Sequence, residues 1–167
     1  MADIHGLEDV QRAIHALHDV AGVAITRGLS RIGLIAQRDA KAYAPRSPTN
    51  AQHSATLKRK KRTSRKLFPG NLEKSIDWEI VGTGTPTPGV SVFVAANGYC
   101  RSKKGYNYAP KIHDERGKTW QNLGPGSIAK NSGGKVGDKF IERAIEDKAN
   151  AFFRILQDEA RKTGASL

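Results

Sequence analysis

The chain has 167 residues, with 28 lysines and arginines against 16 acids, a net charge of +12 and 38% hydrophobic residues. That length suits one domain able to bury a core without disulfides or metals as staples. A lone cysteine, Cys100, excludes an internal disulfide, no apolar run approaches the roughly 20 residues of a membrane span, and "MADIHGLEDV" does not read as a signal peptide.

The charge is uneven. Between Pro45 and Leu72 stand Arg46, Lys58, Arg59, Lys60, Lys61, Arg62, Arg65 and Lys66, with no acid, which leaves 20 bases and 16 acids in the rest of the chain. The basic character is therefore local. A run of this kind cannot pack on itself, and it is drawn to polyanions in a salt-dependent way.

In chain order, Leu7 to about Tyr43 reads as one long helix. Leu7, Val10, Ile14, Leu17, Ala21 and Ala24 alternate steps of three and four, and Ile25, Leu29, Ile32 and Ile35 continue less strictly. Pro45 ends it. Gly22, Gly28 and Gly33 weaken it by about 1 kcal/mol each relative to alanine, and mark a bend or a close contact. Such a helix runs over about 50 Å. That is long for one compact domain, so part of it is expected to pack on another subunit. Residues 46–68 form the basic loop or arm, too long for a tight connection.

Lys74 to Val81 alternates as a half-buried strand, with Ile76, Trp78 and Ile80 on one face. "GTGTPTPG" is a turn, and Val90 to Ala96 a second strand that completes an antiparallel hairpin. A second basic loop follows with Arg101, Lys103 and Lys104, and residues 117–137 form a further long loop. Val136 to Lys162 reads as a second strong helix, with Gly164 as its stop. The fold class is α+β: a long N-terminal and a C-terminal helix packed on a small antiparallel sheet, with long loops, in one domain over 1–167. The expected core is Leu17, Ile25, Ile32, Trp78, Ile80, Val92, Val94, Phe140, Ile145, Phe152 and Leu156.

Little here promises catalysis. His113, Asp114 and Glu115 are adjacent, so their side chains diverge, and no partner cluster accompanies them. A solvated polar turn is the plainer reading. His15 and His18 share a helix face, at a spacing that alone says little. Cys100 in "NGYCRSKKG" has cations nearby but no histidine partner placed by the sequence. "GTGTPTPG" and "NSGGKVGDK" fail the phosphate-loop pattern. "KRKKR" (Lys58 to Arg62) is the strongest single feature. It is either a solvated arm or a contact for nucleic acid or an acidic protein. No aromatic interleaves the run, so contact with nucleic acid would be to phosphate and would carry no base sequence.

Four short motifs in order resemble a known family. "AKAYAPRSPT" ends the first helix, "PGNLEKSI" opens the hairpin, "NYAPKIHDERG" follows it and "KFIERAIED" begins the last helix. Over roughly Leu7 to Gln157 this is similar to the neck and tail-completion family of long-tailed bacteriophages. The matching residues are Ala40, Lys41, Ala44 and Pro45, then Gly70, Leu72, Ser75 and Ile76, then Tyr108, Ala109, His113, Glu115 and Gly117, and finally Lys139, Phe140 and Ala144. Pro69 replaces the family's threonine, and the basic insertion from Ser47 to Leu67 departs from its usual length.

The resemblance implies a virion structural protein of the head–tail junction, assembled in the host cytoplasm, with no catalytic, cofactor or metal site. Its partners would be copies of itself in a ring, with six expected, other phage neck and tail proteins, and possible contact with packaged DNA in the channel. No membrane partner is expected. The two basic loops would be its DNA- or partner-contacting elements. Two other readings stand beside it. One is a nucleic-acid-binding module that contacts phosphates non-specifically. The other is a metal-dependent nuclease using His113, Asp114 or Glu115.

Overall fold

A computed structural model describes residues 6–46, 71–85, 87–95, 125–130 and 136–163. Helix α1 spans Gly6–Tyr43 and is the spine of the molecule. Its 38 residues make it about 57 Å long. A short helix α2 (Asn71–Ser75) leads into strand β1 (Ile76–Val81), which pairs antiparallel with β2 (Gly89–Val94). Helix α3 (Pro125–Lys130) follows, then α4 (Phe140–Glu146) and α5 (Ala149–Lys162). The hairpin and the two C-terminal helices both pack on α1. The α+β architecture read from the sequence is the observed one.

The hairpin register sets Ile76 opposite Val94, Trp78 opposite Val92 and Ile80 opposite Val90. Burial along β1 alternates, with Ile76, Trp78 and Ile80 turned inward. This is the period-two pattern that the sequence carries. Gly82 and Gly84 take positive φ in the turn (+69° and +86°), a region that favours glycine. A Cβ on Gly82 would also come within 2.8 Å of Thr85 Oγ1. Among the described residues no third strand joins either edge of the sheet.

Two clusters form the core. The first gathers Ala40 and Ala44 from the end of α1, Leu72 from α2, Ile76 from β1, and Phe140 and Ala144 from α4. The second joins Ile32 and Ala36 to Phe152 of α5, with Val90, Val92, Ile155 and Leu156 around them. Small residues on α1 let the neighbours come close. A Cβ at Gly33 would lie 2.1 Å from Trp78 Cε3, and one at Gly28 would lie 2.8 Å from Leu156 Cδ2. Gly33 is thus the seat of the Trp78 indole, the close contact expected of these glycines.

Several boundaries differ from the sequence reading. The first strand starts at Ile76, because residues 71–75 close a helical turn in which the Ser75 hydroxyl donates to the Asn71 carbonyl at 2.8 Å. The second strand is Gly89–Val94. The last helix begins at Phe140 and breaks at Asp147 and Lys148 into two pieces. Lys139 before it takes the left-handed conformation (φ 44°, ψ 35°), so a helix cannot run through from Val136. The loop expected over 117–137 contains α3.

Of the expected core, Ile32, Phe140 and Phe152 are buried, while Trp78, Ile80, Val92, Val94 and Leu156 are half-buried. Ile25 and Ile145 are corrections, at 42% and 40% exposed. The body covers the line of Ala24, Gly28 and Leu29 on α1, and Ile25 lies beside that line. On α4 the buried positions are Phe140 and Ala144, which leaves Ile145 turned away. The side chain of Leu17 lies outside the described residues.

Candidate functional site

Most of the motif residues that fall on described positions converge on one place. Ala40, Ala44, Leu72, Ile76, Phe140 and Ala144 come from three of the four motifs and make up the first core cluster. Ser75 is fully buried among them and its carbonyl accepts from the Ala95 amide at 2.6 Å. Pro45 follows Ala44 where α1 stops. These residues therefore hold the end of α1, the entry to the hairpin and the start of α4 together. Their work is packing. Gly70, Tyr108, Ala109, His113 and Glu115 lie outside the described residues.

A polar anchor sits beside this cluster. A helix end leaves its last carbonyls without partners of its own, and here other elements supply them. The Lys130 ammonium at the end of α3 donates to the carbonyls of Lys41 and Ala44, the second at 2.8 Å, and pairs with the Glu73 carboxylate of α2 at 2.7 Å. The Gly137 amide donates to the Tyr43 carbonyl at 3.0 Å. A cation at a helix C-terminus also suits the helix dipole. Ser127 of α3 accepts from the Arg46 amide at 3.0 Å and donates to the Arg46 carbonyl at 3.2 Å, while Arg46 Nε stands 4.0 Å from Glu73. The first residue of the expected basic arm is thus tied to the body. The arm departs from a fixed point.

The other basic-arm residues, Lys58, Arg59, Lys60, Lys61, Arg62, Arg65 and Lys66, lie outside the described residues, as do Arg101, Lys103 and Lys104. Lys130, Glu73, Ser127 and Gly137 went unsingled in the sequence. Their partners lie 27 to 94 positions away, and no local pattern links them.

A second polar contact joins α1 to α5. Glu159 is buried, and accepts from Lys162 at 2.8 Å and from Arg31. Those two hydrogen bonds, with Lys162 the larger cause, hold its carboxyl below the ordinary range. Tyr43 donates to Asp147 at 2.8 Å, and Gln37 donates to the Ile76 carbonyl at 3.1 Å and to Asp77 at 3.2 Å. The C-terminal half of α1 is fastened along its length.

The N-terminal half differs. Among the described side chains of α1, the first buried one is Ala24. Of the side chains described before Ala21, those of Arg12, His15, Asp19 and Val20 are all exposed. Where α1 passes the hairpin turn, an apolar groove of about 430 Å³ opens between Ala21, Gly22 and Ile25 on one side and Ile80, Thr83 and Pro88 on the other. Val20 and Val23 stand exposed beside it, with Arg27 on the neighbouring surface.

Among the described residues no group of three or more His, Cys, Asp or Glu is placed to hold a metal, and no helix is long and apolar enough to cross a membrane. His113, Asp114 and Glu115 lie outside the described residues. Comparison of the chain with protein-family models, with curated proteins and with solved structures finds no match.

Proposed function

We propose that this chain is a structural subunit of a phage head–tail junction, a neck or tail-completion protein that closes into a ring with copies of itself. The observation that carries the reading is α1: 38 residues long, with a half that its own chain leaves exposed at every described side chain before Ala21. A subunit finished by its neighbours needs such an element, and repeated head-to-tail contacts close into a ring when the rotation allows. The convergence of the motif residues on one packed cluster adds support. Motif residues spent on packing suit a structural part.

In this reading the ring is hexameric, it belongs to the virion, and it joins tail to head beside other neck and tail proteins. The arm that leaves the body at Arg46 carries seven further bases before Leu67. It meets packaged DNA in the channel or an acidic partner surface. The same arm is what favours the alternative, a nucleic-acid-binding module, because eight bases without an acid are a polyanion-binding composition.

Electron microscopy of tails and heads incubated with the purified chain separates the two readings. The junction reading expects a ring at the head–tail interface. Deletion of Lys58 to Lys66 should leave the thermal unfolding of the chain unchanged and impair joining. A chain that ignores both particles and retards DNA in a salt-dependent way would establish the alternative.

A further inference from the structure

We propose that Arg143 is a receptor for a carboxylate group from outside the chain, bound by the Nε–Nη2 edge of its guanidinium. The proposal is independent of the ring reading.

The observation that carries it is an unanswered charge. Arg143 stands on α4 between Phe140 and Ala144, both buried against the end of α1. Its Nε and Nη2 are shielded from solvent, and neither has a hydrogen-bond acceptor. A buried donor without an acceptor is rare in a folded protein, and a charged one is costly. These two nitrogens are the parallel donors on one side of the guanidinium. They form the fork that matches the two oxygens of a carboxylate. The orphaned atoms are thus a matched pair. The residue as a whole is half-buried, so this edge lies close beneath the surface.

The surroundings hold the fork in place. The Arg143 amide donates to the Lys139 carbonyl at 2.9 Å, and the Arg143 carbonyl accepts from the Asp147 amide at 3.0 Å. Gly137 lies against the guanidinium, where a Cβ would stand 3.0 Å from Nη2 and 3.7 Å from Cζ. Gly137 is itself fixed by the hydrogen bond of its amide to the Tyr43 carbonyl. Between the two the chain turns at Lys139, the one non-glycine residue with positive φ among those described. Backbone outliers of this kind gather where ligands are held. Asp147, one turn along the helix, would be the natural partner for Arg143, but it accepts from the Tyr43 hydroxyl at 2.8 Å instead.

The setting selects a carboxylate over a phosphate ester. Residues 138–148 carry four acids, Asp138, Glu142, Glu146 and Asp147, against Lys139 and Lys148 besides Arg143. A nucleic acid is drawn by clustered cations and would be repelled here. A single carboxylate needs only the one fork.

The test titrates the full chain with sodium acetate, with sodium chloride keeping the ionic strength fixed. Nuclear magnetic resonance follows the Nε–H signal of Arg143, assigned by its absence in Arg143→Lys, and the amide of Gly137. In the parent both signals should move saturably, and the melting temperature should rise with acetate. Arg143→Lys keeps the charge and loses the fork. It should bind acetate on the order of tenfold more weakly, read at the Gly137 amide. Arg143→Met removes an unanswered buried charge, so in chloride it should melt at least as high as the parent, and acetate should not stabilise it.

Three results overturn the proposal: signals that respond to acetate no more than to chloride, an Arg143→Lys variant that binds like the parent, or an Arg143→Met variant that melts well below the parent in chloride. Inorganic phosphate, titrated in the same way and bound more tightly than acetate, would overturn the carboxylate assignment in favour of a phosphate ester. Sedimentation velocity separates the sources. Association weakened both by acetate and by Arg143→Met places the carboxylate on a second copy, and a state of association that neither changes places it on a different molecule.

Discussion

The two halves of α1 share one helix and the same kinds of residue, and the buried side chains described on it all lie in the second stretch, from Ala24 on. From Gly28 to Ala44 the helix seats Leu156, Trp78 and Phe152, pairs with Glu159, reaches β1 through Gln37 and has its last carbonyls taken by Lys130 and Gly137. From Gly6 to Val20 the sequence keeps the apolar spacing, and the side chains described there, Arg12, His15, Asp19 and Val20, are exposed. Periodicity says that a helix has an apolar stripe. It does not say whose surface the stripe covers.

The largest break in this comparison comes from the packed half. Phe140 is fully buried against Ala40 and Ala44 of α1. Phe140→Ala should cost about 3–5 kcal/mol, through lost burial and the cavity left behind. Urea unfolding measures it.

The glycines give the next effects, of opposite sign. Gly33→Ala drives a methyl into the Trp78 indole, 2.1 Å from the nearest ring atom. Although alanine favours the helix, the displaced ring should leave a net loss of about 1–3 kcal/mol. Gly22→Ala meets open space and should raise the stability of the isolated chain by about 0.5–1 kcal/mol. If both substitutions stabilise, Trp78 is not seated as described.

The smallest effect is electrostatic. Glu159 ionises below the ordinary glutamate range because Lys162 and Arg31 hydrogen-bond its charged form. A carboxyl whose folded pKa is lowered contributes stability above its unfolded pKa, and loses it as the pH falls through the folded value. The melting temperature of the parent should therefore fall on the acid side of that range more steeply than that of Glu159→Gln. Parallel curves would remove Glu159 from the account.

The long helix and the hairpin were legible because each repeats one local rule. The three–four spacing and Pro45 gave α1 to within a residue at each end, and alternation about Trp78 gave the inward face of β1. The break at Asp147 and Lys148 was not legible, since neither glycine nor proline marks it. The left-handed turn at Lys139 likewise has no local signal. The Lys130 anchor is hidden for a different reason. A lysine in a glycine-rich stretch looks like a solvated charge until the fold carries it to the end of α1, 86 residues from Ala44. The short motifs were visible as residue types, and the structure shows six of those residues meeting as packing partners.

The most direct test of the contrast within α1 is hydrogen exchange along the helix, in the isolated chain and in the assembled junction. Amides of the packed half, from about Leu29 to Tyr43, should be protected in both states. Those before Ala21 should exchange freely in the isolated chain and become protected on assembly. Equal protection of both halves in the isolated chain, or no change before Ala21 on assembly, would contradict the view that the first half of α1 is completed by another copy.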